Sequence, residues 1–248
     1  MKRSVTYLLT AFAILATVSC SPQSDEPLKI NGFQLSSQNP DALAKWYVRN
    51  LGFSSSEHNG SLILSNKFNQ IDISGGKLNE GPSNGQRTAG FFKIGFKTND
   101  LDGLYARLQE NGTEFRGDIF YDSNLKTRSL VSLDSDGNRV QFFEDANVIG
   151  LTSYFFSVMA MDFEKTKAWC ESKFGFVETY NLDLPDRGIS IRLLQKDGVL
   201  LELISDKQLV SANTEIPGIH SVLFNRSKSR LSAGKLIFSA PMTEQTPR

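Results

Sequence analysis

The chain has 248 residues, 40% of them hydrophobic, which is enough for one large or two small cored domains. Its 27 basic and 27 acidic residues cancel, so no basic excess marks a nucleic-acid binder. With only His58 and His220, the paired histidines of a zinc-protease helix are absent, and no G-x-S-x-G elbow supplies a hydrolase nucleophile.

Lys2 and Arg3 precede an apolar run from Val5 to Ala16, too short for a membrane span but suited to a signal-peptide core. It ends in Thr17-Val18-Ser19-Cys20 and passes into a polar stretch, Ser21 to Glu26. This resembles a lipoprotein signal, although Thr17 stands where leucine is usual. An ordinary cleaved secretory signal with an incidental cysteine is the alternative. The resemblance implies residues 1–19 as signal peptide, lipidation at Cys20, a tether over 20–27, and a cell-envelope protein on the outer membrane facing the periplasm. Cys170, then without a disulfide partner, is expected as a buried helical thiol.

The remainder is organised by repeats. Lys45-Trp46-Tyr47-Val48-Arg49-Asn50-Leu51-Gly52-Phe53 returns at 168–176 as Ala168-Trp169-Cys170-Glu171-Ser172-Lys173-Phe174-Gly175-Phe176. Each copy follows a strand-like segment, Ile30–Ser36 or Tyr154–Ala160, and a helix-opening acid, Asp41 or Asp162. Each ends in a glycine suited to a helix C-cap. A weaker repeat sets Gly32–Tyr47 against Lys93–Leu108. Leu101, Leu104, Tyr105 and Leu108 fall on one face of a helix over 101–111, closed by Gly112.

Three short strands are expected after each helix of the first module. They lie near Phe53, Ser61–Ser65 and Gln70–Ile73, then near Phe115, Ser129–Leu133 and Arg139–Phe143. Asp134-Ser135-Asp136-Gly137-Asn138 is expected as the turn joining the last pair. A calcium loop fits it poorly, because Arg139 falls where the required glycine belongs. Gly75-Gly76-Lys77 lacks the Ser or Thr of a phosphate loop and is expected as a connector.

The strand, the helix opened by Asp100-Leu101-Asp102, and Asp134-Ser135-Asp136-Gly137-Asn138-Arg139-Val140-Gln141-Phe142-Phe143-Glu144 resemble the vicinal-oxygen-chelate superfamily, the glyoxalase, bleomycin-resistance and dioxygenase group. The resemblance implies an α+β fold of paired βαβββ units forming curved mixed sheets. It implies a complete module over 28–146, expected to fold by itself, and a second, C-terminally incomplete module over 152–248. For the last unit the chain offers a brief helix over 226–234 and a strand over 235–238. An exposed edge there would need covering, by the first module or by a second copy in a homo-oligomer.

Enzymes of this superfamily hold a divalent metal in the sheet's cup, on first- and fourth-strand ligands. Open metal positions take a bidentate oxygen substrate. In the first module the matching positions hold Gly32, Asp72, Lys93 and Gln141. One carboxylate and one amide beside an ammonium do not make a metal site. In the second module Phe155, Glu202 and His220 match. There Glu202 and His220 are the metal candidates, for nickel, zinc, manganese or iron, and Phe155 removes a third ligand. The leading expectation is a small-molecule-binding cup without a full metal site, with Asp72, Lys93, Gln141 and Phe155 facing the ligand. The alternative is a metal-dependent lyase, isomerase or dioxygenase-like enzyme using Glu202 and His220. A purely structural protein is the third reading. Each candidate also has a plain alternative as a solvated, ion-paired or core residue.

Overall fold

The computed structural model describes residues 26–76, 87–210, 218–225 and 230–232. The first unit contains β1 (Ile30–Ser37), α1 (Pro40–Leu51), β2 (Ser54–His58), β3 (Ser61–Ser65) and β4 (Gln70–Gly75). After β5 (Arg87–Thr88), the second unit is β6 (Gly90–Thr98), α2 (Leu101–Glu110), β7 (Phe120–Asp122), β8 (Thr127–Leu133) and β9 (Arg139–Glu144). The third is β10 (Leu151–Met159), α3 (Phe163–Phe174), β11 (Val177–Leu184), β12 (Ile189–Lys196) and β13 (Val199–Asp206). Then come β14 (Leu209–Val210), β15 (Gly218–Phe224) and β16 (Arg230–Ser232).

The helices start and stop for local reasons. Asn39 caps α1 by accepting the Ala42 amide, and Pro40 opens its first turn, one position ahead of the expected Asp41. Asp100 and Asp162 cap α2 and α3 in the same way. Gly52 and Gly175 end α1 and α3 at φ +72° and +74°, the left-handed conformation that the repeat's glycine anticipates. Leu43, Ala44, Tyr47 and Leu51 lie on the buried face of α1.

Strand pairing does not follow the modules. A six-stranded sheet has the order β16-β15-β1-β4-β3-β2, and an eight-stranded sheet the order β11-β12-β13-β10-β6-β9-β8-β7. Unit one therefore closes with the final segment, and unit two with unit three. The boundaries at 28–146 and 152–248 describe the repeat, while the hydrogen-bonded sheets cross them. β15 lies against β1, so the first module covers that edge of the last unit.

The two sheets share one core. Phe33 and Leu35 of β1, Val222 and Phe224 of β15, Ile94 and Phe96 of β6, and Phe156 and Val158 of β10 are all buried in it. Phe33 meets Phe96 edge to face with ring centroids 5.7 Å apart, and Phe156 meets Phe224 at 6.0 Å. Because strand side chains alternate, the intervening residues point away from this core, giving each sheet a second face of its own.

Three expectations about elements change. Phe115 makes only an isolated bridge to Ser132, and the strand expected there is β7, five residues on. Within the helix expected over 226–234, Arg230–Ser232 is strand β16, paired to β15. The strand expected over 235–238 lies outside the described residues. The aspartate-rich turn is the expected hairpin, with Gly137 at φ +81°. Asp134, 5% exposed, accepts the amides of Asp136 and Asn138, the Asn138 side chain and the Tyr47 hydroxyl, so it is a structural brace rather than a calcium ligand.

Candidate functional site in the two sheet cups

At the centre of the eight-stranded sheet, β13, β10, β6 and β9 run side by side. Ser157 of β10 sits opposite Glu202 on one side and Lys93 on the other. Lys93 Nζ lies 2.7 Å from Glu202 Oε2, with each side chain 14% exposed, and donates to Gln141 Oε1 at 3.2 Å. Ser157 Oγ donates to the same Glu202 oxygen at 2.6 Å. Around this cluster Phe143, Phe155, Leu193 and Leu200 form a separate buried apolar group. The Phe155 ring centroid is 5.4 Å from the ammonium. Gly95 is required beneath it, since a Cβ there would come within 2.8 Å of the Phe155 ring and 2.7 Å of the Gln141 carbonyl oxygen.

The six-stranded sheet repeats the arrangement with different chemistry. Gln34 of β1 sits opposite Asp72 of β4 and opposite Ser221 of β15. Gln34 Nε2 donates to Asp72 Oδ2 at 3.3 Å, and Gln70 Nε2 donates to Oδ1 at 2.6 Å. Ser221 Oγ donates to Gln34 Oε1 at 3.1 Å. The ladder skips His220, whose Nε2 is 2.7 Å from Ser36 Oγ. A cavity of about 430 Å³ opens here, lined by Gln34, Asp72, Ser74, Ile63 and both histidines, among others.

The predicted residues are therefore sorted differently from the expectation. Lys93, Gln141, Phe155 and Glu202 meet in the eight-stranded cup, whereas Asp72 and His220 belong to the six-stranded one. A metal half-site shared by Glu202 and His220 is not what this fold builds. The two residues lie in different sheets, and Glu202 is held by Lys93. The grouping of Asp72 with Lys93 and Gln141 fails for the same reason, because units one and two do not close a sheet together. Phe155 is 2% exposed and forms wall rather than an open contact surface.

Gln34, Ser157 and His58 were missed. The repeat alignment placed Gly32 and Phe155 at the first-strand positions, whereas the residues opposite the carboxylates lie two further along. Strand alternation allows that shift on the same face, and only the register reveals it. Gly32 has a packing role: a Cβ there would fall 2.1 Å from the Gln70 carbonyl oxygen.

Neither cup suits a resident divalent metal. In the eight-stranded cup the donors are one carboxylate, one amide and one hydroxyl, and an ammonium already engages the carboxylate. In the six-stranded cup both Asp72 oxygens accept side-chain amides, and His220 Nε2 is engaged with Ser36. Among the described residues no three His, Cys, Asp or Glu side chains converge as a ligand set.

Two curved mixed sheets built from βαβββ units, each presenting first- and fourth-strand polar residues in a cup, define a glyoxalase-like fold. Residues 29–142 match the family model described as the Glyoxalase/Bleomycin resistance protein/Dioxygenase superfamily. Among solved structures, glyoxalase I from Zea mays is similar at TM-score 0.58 and 14% identity, covering 79% of this chain and 74% of that one. A mutant of the same maize enzyme gives 0.60 and 15%, covering 80% and 75%. A glyoxalase family protein from Enterococcus faecalis is 22% identical, covering 47% of this chain and 97% of that one, at TM-score 0.42. No curated protein matches the chain. At these identities the solved structures establish the fold alone.

Proposed function

We propose that this is a metal-independent small-molecule-binding protein of the glyoxalase-like fold, with the six-stranded cup as its binding site. The observation that carries the reading is the cavity of about 430 Å³, with the polar groups of Gln34, Asp72 and His220 beside the apolar Ile63. A concave site with a few oriented polar groups is the usual form of a ligand pocket. In the eight-stranded cup, Lys93 supplies a fixed positive charge beside Glu202. An ammonium has no open coordination positions, so it cannot chelate a bidentate oxygen substrate as a metal does.

The test is thermal denaturation of the full chain with a chemically diverse set of small molecules, in the presence and absence of a chelator. The reading expects stabilising compounds that act equally under both conditions and lose their effect in Ile63→Trp, which fills the cavity. Stabilisation that requires an added divalent metal would overturn it.

We further propose that the protein works at the outer membrane, facing the periplasm, anchored by acyl chains on Cys20. The support is the basic, apolar and small-residue order before that cysteine. Cys20→Ala should move the protein from the membrane to the soluble fraction. None of the described helices is long and apolar enough to cross a membrane. A second copy pairing along the β16 edge of the six-stranded sheet is the proposed form of a homo-oligomer, and its test is the mass in solution.

A further inference from the structure

The two cups are related position by position. In the eight-stranded sheet Ser157 faces Glu202 across a parallel pair and Lys93 across an antiparallel pair, and the ladder then skips Phe92 before Val158 meets Phe91. In the six-stranded sheet Gln34 faces Asp72 across a parallel pair and Ser221 across an antiparallel pair, and the ladder skips His220 before Leu35 meets Ile219. Glu202 thus corresponds to Asp72, Ser157 to Gln34, Phe92 to His220 and Lys93 to Ser221. The first-strand side chain donates to the carboxylate in both cups, at 2.6 Å from Ser157 and 3.3 Å from Gln34. What differs is the ammonium. Glu202 has one from its own chain, at 2.7 Å. At the corresponding place the six-stranded sheet has Ser221, 1% exposed, whose hydroxyl donates to Gln34 instead, and the cavity opens beside Asp72, Gln34 and His220.

From this we propose that the ligand of the six-stranded cup is a small molecule bearing a primary or secondary ammonium group, which pairs with Asp72 as Lys93 pairs with Glu202. The proposal rests on the reading of that cup as the binding site and names the class of ligand. Its charge logic is internal to the molecule. Asp72 accepts two neutral amides, and among the described residues lining the cavity there is no lysine or arginine to neutralise it. A carboxylate held by neutral donors beside an open cavity attracts a cation and disfavours an anion, and charge-assisted hydrogen bonds are the stronger kind. Ser74, Asn59 and Ser61, which also line the cavity, can hydrogen-bond hydroxyl or carbonyl groups elsewhere on the ligand, while Ile63 takes its apolar part.

The chain carries a built-in reporter. His58 and His220 are its only histidines, and both line this cavity. The experiment is a titration of the full chain with n-butylammonium, followed by the imidazole carbon–proton signals of those two residues in NMR. Butan-1-ol and butanoate are run as neutral and anionic counterparts. The proposal expects saturable shifts of both histidines with the amine, at least about tenfold weaker with the alcohol and the carboxylate. It expects the same loss of amine affinity in Asp72→Asn and retention in Asp72→Glu, which separates the charge from any effect on folding. If the alcohol or the carboxylate binds as well as the amine, and Ile63→Trp abolishes that binding, the cup remains the site and the ammonium assignment is overturned. If amine affinity is unchanged in Asp72→Asn, the assignment is also overturned. If no probe moves either histidine, both the assignment and the cup reading fall.

Discussion

The eight-stranded and six-stranded cups use the same strand arrangement and one carboxylate each, yet one is closed by its own chain and the other is open. In the first, Lys93 and Gln141 reach the centre from β6 and β9, and Phe143, Phe155, Leu193 and Leu200 pack around them. In the second, the corresponding side chain is Ser221 and a cavity remains. Where one sheet carries a lysine that reaches its carboxylate, the other carries a short serine that donates to Gln34 instead. The same strand arrangement can thus neutralise its carboxylate with a cation from its own sequence, or hold it with neutral amides alone.

The largest effect that would sharpen this comparison concerns how the cups are held. An isolated fragment of residues 28–146 keeps β1 and β6 but loses their partners β15 and β10, opening both sheets along a central ladder. It should not unfold cooperatively, whereas the full chain should, as judged by circular dichroism during thermal melting. A cooperative melt of the fragment would show that the modules, rather than the crossed sheets, are the folding units.

Next in size is Lys93→Ala. It removes the counter-ion of Glu202, a side chain only 14% exposed beside Lys93, and should cost about 3 kcal/mol in denaturant unfolding. The double variant Lys93→Met with Glu202→Gln should recover most of that loss. Asp72→Asn in the other cup should change stability by less than about 1 kcal/mol, since its partners are neutral amides. Equal costs at Lys93 and Asp72 would erase the contrast between the cups.

A smaller effect is the pH dependence set by Asp134, which joins the hairpin of unit two to Tyr47 of unit one. Burial raises its carboxyl from 3.8 to about 6, against the opposing hydrogen bonds from Asn138 and Asp136. A folded-state value above the unfolded one means that folding takes up a proton between these two values. Stability should therefore fall as pH rises through that window, by about 1 kcal/mol between pH 5 and pH 7. The ion-paired carboxylates Asp102, Asp145, Asp162 and Asp183 are shifted the other way and lose their contribution only at lower pH. Asp134→Asn should flatten the pH 5 to 7 slope, and an unchanged slope would contradict this assignment.

The smallest effect is one of reactivity. Cys170 is 1% exposed, and burial pushes its thiol up to about 12. A thiol reagent should therefore label it only as fast as the protein unfolds.

Much of the fold was legible locally. Asp100 and Asp162 as caps, Gly52 and Gly175 as left-handed stops, and the Asp134–Asn138 turn each follow from residue chemistry within a few positions. The expectation of Cys170 as a buried helical thiol holds for the same reason. Lys93 as a misplaced positive charge was also readable, because a lysine on a first strand is visible without its partner. Its partner was not. Whether unit one closes with unit two or with the final segment depends on long-range ladders that leave no mark in strand periodicity, and that choice separates Glu202 from His220. The skipped residues in β6 and β15 further shift the face register, so Ser157 and Gln34 stood hidden behind Phe155 and Gly32.

In the proposed reading, the Lys93 ammonium occupies within the chain the place that a ligand's ammonium would take in the other cup. The direct measurement is chemical rescue: the thermal midpoint of Lys93→Ala measured with n-propylammonium and with propan-1-ol. The amine should raise the variant's midpoint by more than it raises that of the unsubstituted protein, and by more than the alcohol does. Equal responses to amine and alcohol, or equal responses of the two proteins, would contradict it.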